Sequence, residues 1–411
     1  MSADQTRAEA WGMQGTKNGP HSNHANVGIA LAKDPVVLDG VYYDAFRDQI
    51  LHPDGRLWTD ADDTRVTMYL QEHIGLHRAT ISMVSAVIVQ RLQATPRHCV
   101  REFLLGLKWD GDPYIDDAFC RYWHAVPTPN QPREYLEAAS RNFFLALVAR
   151  ALTPPDRFSR MACQVDEMVV FESAKQGLYK SSALATVGYP WYQTIHERIT
   201  DKDFLQAMQG VWLIEVSELE AFSRAQVERV KSVITTRNDW YRGSYDHRTT
   251  AHPRQCNFAG TSNRSDWGHD DTGLRRFVPV VVSAAIDIPD LESIRDQLLA
   301  EAVHRVQAGE PWHLYPASTT EVQGDRQAYD EWSPRVLTYA AEQLHNPTIA
   351  YLQIVDILTD GLKLPIHAVD KATQMRVARI LTLNGWDRRK RRSGTDTAWV
   401  WFPPEGRNSE D

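Results

Sequence analysis

Cysteine is scarce. The 411 residues contain four, Cys99, Cys120, Cys163 and Cys256, with no CxxC pair among them. That pattern excludes a cysteine-built zinc site and a disulfide scaffold, and it predicts reduced, buried thiols in a cytoplasmic protein. Long apolar runs are missing too: nothing approaches the roughly 18 consecutive apolar residues of a membrane span. The opening MSADQTRAEAWGMQGTKNGPHSNHANVG has no apolar core of a secretory signal. It is polar and rich in Gly, Asn and Ser, so residues 1–35 are expected to be a disordered tail. No repeat with a period of roughly 20–50 residues is visible. Excess positive charge is lacking as well. A net charge of −8 excludes a uniformly nucleic-acid-coated protein but leaves room for local basic patches.

What is present is a soluble, globular composition, 43% apolar and 24% charged, on a chain long enough for two to four domains. Residues 36–130 read as a helical N-terminal domain: YYDAFRDQILH and RVTMYLQEHIGL space their apolar residues near 3.6, and VREFLLGLKWDGDPYIDDAF runs from helix into turn. After the proline-rich HAVPTPNQP the character changes. Apolar runs EMVVFES, GVWLIEVSE, QCNFAGTSN and RRFVPVVVS alternate with helical patterns, as in a sheet covered on both faces. One helical pattern, SRAQVERVKSVI, opens with a capping box of Ser223 and Gln226. Residues 131–285 are therefore expected to form an α/β domain, 286–345 a helical lid or connector, and 346–411 a small unit of helices and a ribbon.

The stretch VVFESAKQGLYKSS, residues 169–182, carries the first chemistry. A phosphate loop reads G-x-x-x-x-G-K-[ST], and its backbone N–H groups cradle phosphate at the start of a helix. Lys180, Ser181 and an inner glycine, Gly177, follow an apolar strand as required. Ala174 and Tyr179 stand where the two glycines belong. Taken alone, the stretch is equally an ordinary strand-to-helix turn with a lysine. GVWLIEVSELE then ends a buried strand with Glu215 and Glu218, where an ATPase holds Mg²⁺ and polarises water. CNFAGTSN ends a further strand at Asn263, and HDDTGLRRF supplies Arg275 and Arg276.

In this order the segments resemble the virulence-associated protein E family, phage- and mobile-element ATPases related to superfamily 3 helicases. The similarity is densest from DFLQAMQGVWLIEVSELE through DDTGLRRFVPV. The resemblance implies an α/β P-loop NTPase core of the AAA+/superfamily 3 type, with a helical N-terminal domain and a C-terminal winged helix. It places the ATP loop on Ala174, Gln176, Gly177, Tyr179, Lys180, Ser181 and Ser182, and metal contacts on Ser181, Glu215 and Glu218. Catalytic roles fall on Lys180, Glu215, Glu218, Asn263, Arg275 and Arg276, with Glu218 as the preferred water activator. Asp270, Asp271, Gly273 and Phe277 complete the family's arginine signature. ATP and Mg²⁺ are the implied cofactors. The implied assembly is a homo-oligomer of the hexameric ring type, with any primase on a separate chain. The replacements Ala174 and Tyr179 open an alternative, a DNA-binding scaffold or regulator that no longer hydrolyses ATP.

Two stretches are expected to meet nucleic acid. TTRNDWYRGSYDHRTTAHPRQC mixes aromatic and basic residues around turn chemistry and reads as a β-hairpin. By the same resemblance its tip residues, His247 and Arg248, would touch single-stranded DNA in a ring channel. Near the C-terminus, a helix with Lys371, Gln374 and Arg379 outward and Met375, Ile380 and Leu383 inward precedes the run Arg388, Arg389, Lys390, Arg391 and Arg392. A helix followed by a basic ribbon reads as a winged helix that grips duplex phosphate.

Overall fold

The run MVVFE is apolar up to its closing acid, and in the computed structural model of the protein it forms a strand with every residue buried. The structure describes residues 9–16, 19–34, 36–153, 163–195, 205, 208–219, 222, 224–241, 249–264, 276–313, 315–316, 332–344, 349–393 and 396–403. The chain divides into two compact units, residues 1–265 with 275–325, and residues 266–274 with 326–411.

The first unit opens with helices α1 (His24–Lys33), α2 (Asp60–His73) and α3 (Ile81–Gln93). They share a core that includes Val27, Ala30, Leu70, Val84 and Ile88. Helix α1 corrects the expectation of a disordered tail through residue 35. Val27, Ala30 and Leu31 recur at helical spacing, and the Asn23 side chain caps the helix by accepting from the Asn26 N–H. A second correction falls on YYDAFRDQILH, which is not helical. Tyr42–Asp44 pairs antiparallel with Gln49–Leu51, and the turn between them places Asp48 at φ 55°. The buried Asp44 carboxylate accepts from the N–H of Phe46 at 3.0 Å and of Cys99 at 3.3 Å. This local side-chain bond favours the turn over a helix.

Helices α4 (Cys99–Gly106) and α5 (Arg133–Leu152) lead into the sheet. Then follow β1 (Met168–Glu172), α6 (Lys180–Gly188), β2 (Tyr192–Ile195), β3 (Leu213–Val216), α7 (Arg224–Thr235), β4 (Asn238–Tyr241), β5 (Thr250–Pro253), β6 (Asn257–Ser262), β7 (Phe277–Val281) and α8 (Ile288–Gln307). Five strands form one sheet in the order β7-β1-β6-β3-β2, and every neighbouring pair is parallel. All carboxyl ends therefore lie along one edge. The chain leaves β1 between β7 and β6, a crevice of the kind in which open α/β sheets bind ligands. Helix α5, buried over most of its length, packs on β1, β6 and β7, and α8 packs against both α5 and α6. Leu291, Leu298, Leu299 and Ala302 of α8 are completely buried in the same core. The expected connector 286–345 is thus divided, with α8 part of the first unit and α9 (Ser333–Leu344) part of the second.

In the second unit α9, α10 (Lys371–Leu383), β8 (Asp387–Ser393) and β9 (Asp396–Phe402) enclose Val336, Leu358, Val377, Ile380, Leu381 and Trp401. Met375, expected on the inner side of α10, is 62% exposed. The inner stripe runs instead through Val377, Ile380 and Leu381, a spacing of three and four that excludes position 375.

Within the sheet, Gly260 of β6 permits a close approach. A Cβ there would lie 2.7 Å from Leu219 Cδ1 and 3.1 Å from Met168 Cε. Leu219, fully buried, thereby seats the turn after β3 on the sheet, and with it Glu218. Gly260→Ala should destabilise the protein by about 1–3 kcal/mol through overpacking, read as a lower urea midpoint. An unchanged midpoint would mean that the turn is not seated on β6.

Candidate functional site

At the carboxyl edge, the segment after β1 turns sharply into α6. Gly177 takes φ 77° and Tyr179 φ 60°, ψ 26°, the left-handed region that glycine occupies without cost. Tyr179 thus has the backbone shape expected of the missing glycine. Its side chain is 56% exposed and points away from the core. A Cβ on Gly177 would meet nothing within 4 Å, so the space over the turn is open. Ala174, Gln176, Ser181 and Ser182 are exposed around it.

Lys180, the first residue of α6, is buried to 8% exposure. Its ammonium donates to Ser173 Oγ and to Asn263 Oδ1, the latter at 3.1 Å. Ser173 follows β1 and Asn263 follows β6, so the lysine joins the ends of two adjacent strands. The next residue, Ser181, donates its hydroxyl to Glu215 Oε1 at 2.6 Å.

Glu215 has no exposed surface although it sits in an apolar strand. A buried carboxylate needs donors, and three elements supply them. Thr261 of β6 donates to Oε1 at 2.6 Å, Ser181 of α6 donates to the same oxygen, and Tyr192 of β2 donates to Oε2. Register explains the convergence. Thr194 pairs with Glu215, which places Tyr192 two residues away on the same face, and Ala259 pairs with Glu215 on the other side, which does the same for Thr261. Burial, then the hydrogen bond to Glu215, pushes the Tyr192 phenol above its ordinary range and keeps it a donor. Tyr192, Thr261 and Ser173 were not singled out in the sequence. The signal for Thr261 was its place in the strand that ends at Asn263; Tyr192 carried none.

The structure therefore brings Lys180, Ser181, Glu215 and Asn263 together. Glu218, two residues beyond β3, is exposed and takes φ 54°. Arg276 lies elsewhere. It precedes β7, whose Phe277 pairs with Met168 at the start of β1, so it sits at the amino edge of the sheet. At ~3.3 Å per residue the five-residue strand separates it from the level of Glu172 by roughly 16 Å. Arg275, Asp270, Asp271 and Gly273 lie outside the described residues.

A cation, a hydroxyl, a buried carboxylate and an amide at a helix N-terminus are suited to hold a polyanion with a divalent cation. Among the described residues no group of three or more His, Cys, Asp or Glu side chains could hold a metal. A metal here would rely on Ser181, Glu215 and ligand oxygens, as Mg²⁺ commonly does with phosphates.

The expected hairpin is present as β4 paired antiparallel with β5. Its base is fixed by the buried ion pair of Arg254 with Asp239, Nε to Oδ2 at 2.9 Å. Trp240 is 67% exposed; the tip, with His247 and Arg248, lies outside the described residues, as does Ser223 of the expected capping box. In the second unit Lys371 is exposed in the first turn of α10, and Arg388, Arg389, Lys390 and Arg391 are exposed along β8. The side chains of Arg379, Leu383 and Arg392 lie outside the described residues. Among the described residues no helix is long and apolar enough to cross a membrane.

The parallel five-stranded sheet and the array at its carboxyl edge are a mixed α/β layout compatible with a nucleoside-triphosphatase core. The chain belongs to the virulence-associated protein E-like domain family, whose model matches residues 104–331. No curated protein matches it. Among solved structures, the apo structure of the NrS-1 C terminal region (305-718) is similar at 10% identity and a TM-score of 0.47, covering 90% of this chain and 99% of that one. The A form apo structure of the same region is similar at 10% identity and a TM-score of 0.46, covering 90% and 98%.

The left-handed turn makes its own prediction. Tyr179→Gly should change the unfolding free energy by no more than about 1 kcal/mol, because relief of the left-handed cost is offset by the freedom glycine gains when unfolded. Tyr179→Val, β-branched, should lose about 1–2 kcal/mol. Equal urea midpoints for Tyr and Val would show that the turn is not held left-handed in solution.

Proposed function

We propose that this protein is a phage or mobile-element replication protein, an ATP-driven motor of the helicase type acting on DNA. The observation that carries this reading is the convergence of Lys180, Ser181, Glu215 and Asn263 at the carboxyl ends of three adjacent strands, where α6 begins. ATP would lie over the turn at 174–181, with its phosphates at the N-terminus of α6. Bound Mg²⁺ would supply charge neutralisation on the phosphate oxygens. Lys180 would exchange its Ser173 and Asn263 contacts for phosphate oxygens, and Ser181 would turn its hydroxyl from Glu215 toward the metal. Glu215 would face the metal while Thr261 and Tyr192 hold its carboxylate in place. Asn263 would orient the attacking water or the terminal phosphate, and Glu218, on the turn seated by Leu219, would take the proton of that water.

Arg276 supports an oligomer. Its place at the far edge of the sheet keeps it from triphosphate bound to its own chain. A catalytic contribution would have to be delivered to a neighbouring copy, as in a ring of the hexameric type. The β4–β5 hairpin, through His247 and Arg248, would meet single-stranded DNA in the ring channel, and α10 with β8 and β9 would act as a winged helix on duplex. A second reading, a scaffold that binds DNA without hydrolysis, rests on Tyr179; the outward side chain and glycine-like backbone of that residue favour the active reading.

ATP turnover by the full chain, with and without single-stranded DNA, tests the proposal. Lys180→Ala should abolish DNA-stimulated hydrolysis, and Glu218→Gln should lower kcat by about 10²–10⁴-fold while ATP still binds. No turnover in the natural protein that returns in Tyr179→Gly would establish the scaffold reading. Absence of both turnover and ATP binding in either form would overturn the nucleotide site.

A further inference from the structure

The C-terminal ribbon carries more than charge. Residues 371–392 contain eight basic residues against one acidic residue, Asp387, yet the cations of β8 are not simply spread into solvent. The Arg388 guanidinium lies 4.2 Å from the ring centre of Trp399, and Lys390 Nζ lies 5.0 Å from the same ring. Register accounts for this: Lys390 pairs directly with Trp399, and Arg388 pairs with Trp401, two residues farther along the same face. That face runs from Trp401, 2% exposed in the apolar core, to Trp399, 47% exposed. The indole at its outer end is therefore held by a paired ribbon, with both cations lying over its ring, and is half-exposed to solvent.

A grip on duplex phosphate has no use for an open aromatic ring, because the faces of paired bases are already stacked on one another. Unpaired bases have free faces. Proteins that bind single strands combine cations for the backbone with aromatic or guanidinium planes for the bases. We propose that Trp399, with Arg388 and Lys390, is a stacking platform for single-stranded nucleic acid, so that this unit engages an unpaired strand rather than, or beside, a duplex. The inference rests on the reading of the chain as a DNA-acting protein and adds to it the strand state that the ribbon recognises. One base stacks on the indole in place of the cation over that face, and Arg388 and Lys390 swing from the ring to the flanking phosphates.

The test uses the full chain and measures binding of a labelled oligothymidylate and of a mixed-sequence duplex across a salt series. Trp399→Leu keeps an apolar side chain at this position and removes the π-face. It should weaken oligothymidylate binding about 5- to 100-fold, leave duplex binding unchanged, and leave the salt slope in place. Trp399→Phe should retain most of the affinity, which separates loss of stacking from loss of fold. Arg388→Gln with Lys390→Gln should reduce the single-strand salt slope by about 1.4. If Trp399→Leu leaves single-strand binding intact while the double variant weakens both ligands, the ribbon grips phosphate only and the platform is overturned. If neither set of variants alters binding to either ligand, the ribbon is not a nucleic-acid surface, and it is the DNA reading of this unit that fails.

Discussion

A carboxylate completely buried in a parallel sheet is expensive unless donors reach both of its oxygens. Glu215 meets that demand by drawing one donor from each neighbouring strand and one from the helix after the phosphate-type turn. The same three bonds fix the register-related positions of β2, β3 and β6 and the start of α6. Loss of any donor would leave a charge partly unpaired in the core, so the geometry of the edge is enforced by the cost of burying that charge. Lys180 adds a second tie across the edge, from the end of β1 to the end of β6. These ties hold a cation, a hydroxyl and a carboxylate close together at the carboxyl edge.

The turn that leads into this array illustrates how backbone shape can outlast the residue type that usually supports it. A left-handed tyrosine costs about 1–2 kcal/mol relative to a relaxed conformation. The surrounding contacts absorb that cost: the carbonyl of Tyr179 accepts from Ala183 at 2.9 Å, and that of Leu178 accepts from Ile286 at 3.2 Å. With the side chain directed outward, the inner surface of the turn stays open. Glu218, also left-handed, follows the same logic after β3, where Leu219 pressed over Gly260 holds the turn.

Much of the sheet was legible because buried parallel strands read as mostly apolar runs: MVVFE, LIEV and FVPVV, broken only by Glu172 and Glu215, needed no knowledge of their neighbours. The order of those strands was not legible, since it depends on contacts between residues far apart in the chain. For the same reason Tyr192 went unremarked; nothing local distinguishes it, and its role exists only once β2 lies beside β3. The N-terminal region failed differently. Tyr42–His52 has apolar spacing that suits a helix, but Asp44 bonds its own turn. Helix α1 was hidden by polar flanks although Val27, Ala30 and Leu31 mark its face. In α10 the run and the inward Ile380 were right; Met375 was not, because it looks like a core residue by type and lies outside the stripe that the neighbours define.

The residues singled out by the family resemblance fall at both edges of the sheet. Lys180, Ser181, Glu215 and Asn263 collect at the carboxyl edge, while Arg276 and the base of the β4–β5 hairpin lie where strands β7 and β6 begin. A site assembled from both edges cannot close within one sheet, whose strands hold the edges apart. Any contact of Arg276 with a ligand at the carboxyl edge would therefore have to come from another copy of the chain.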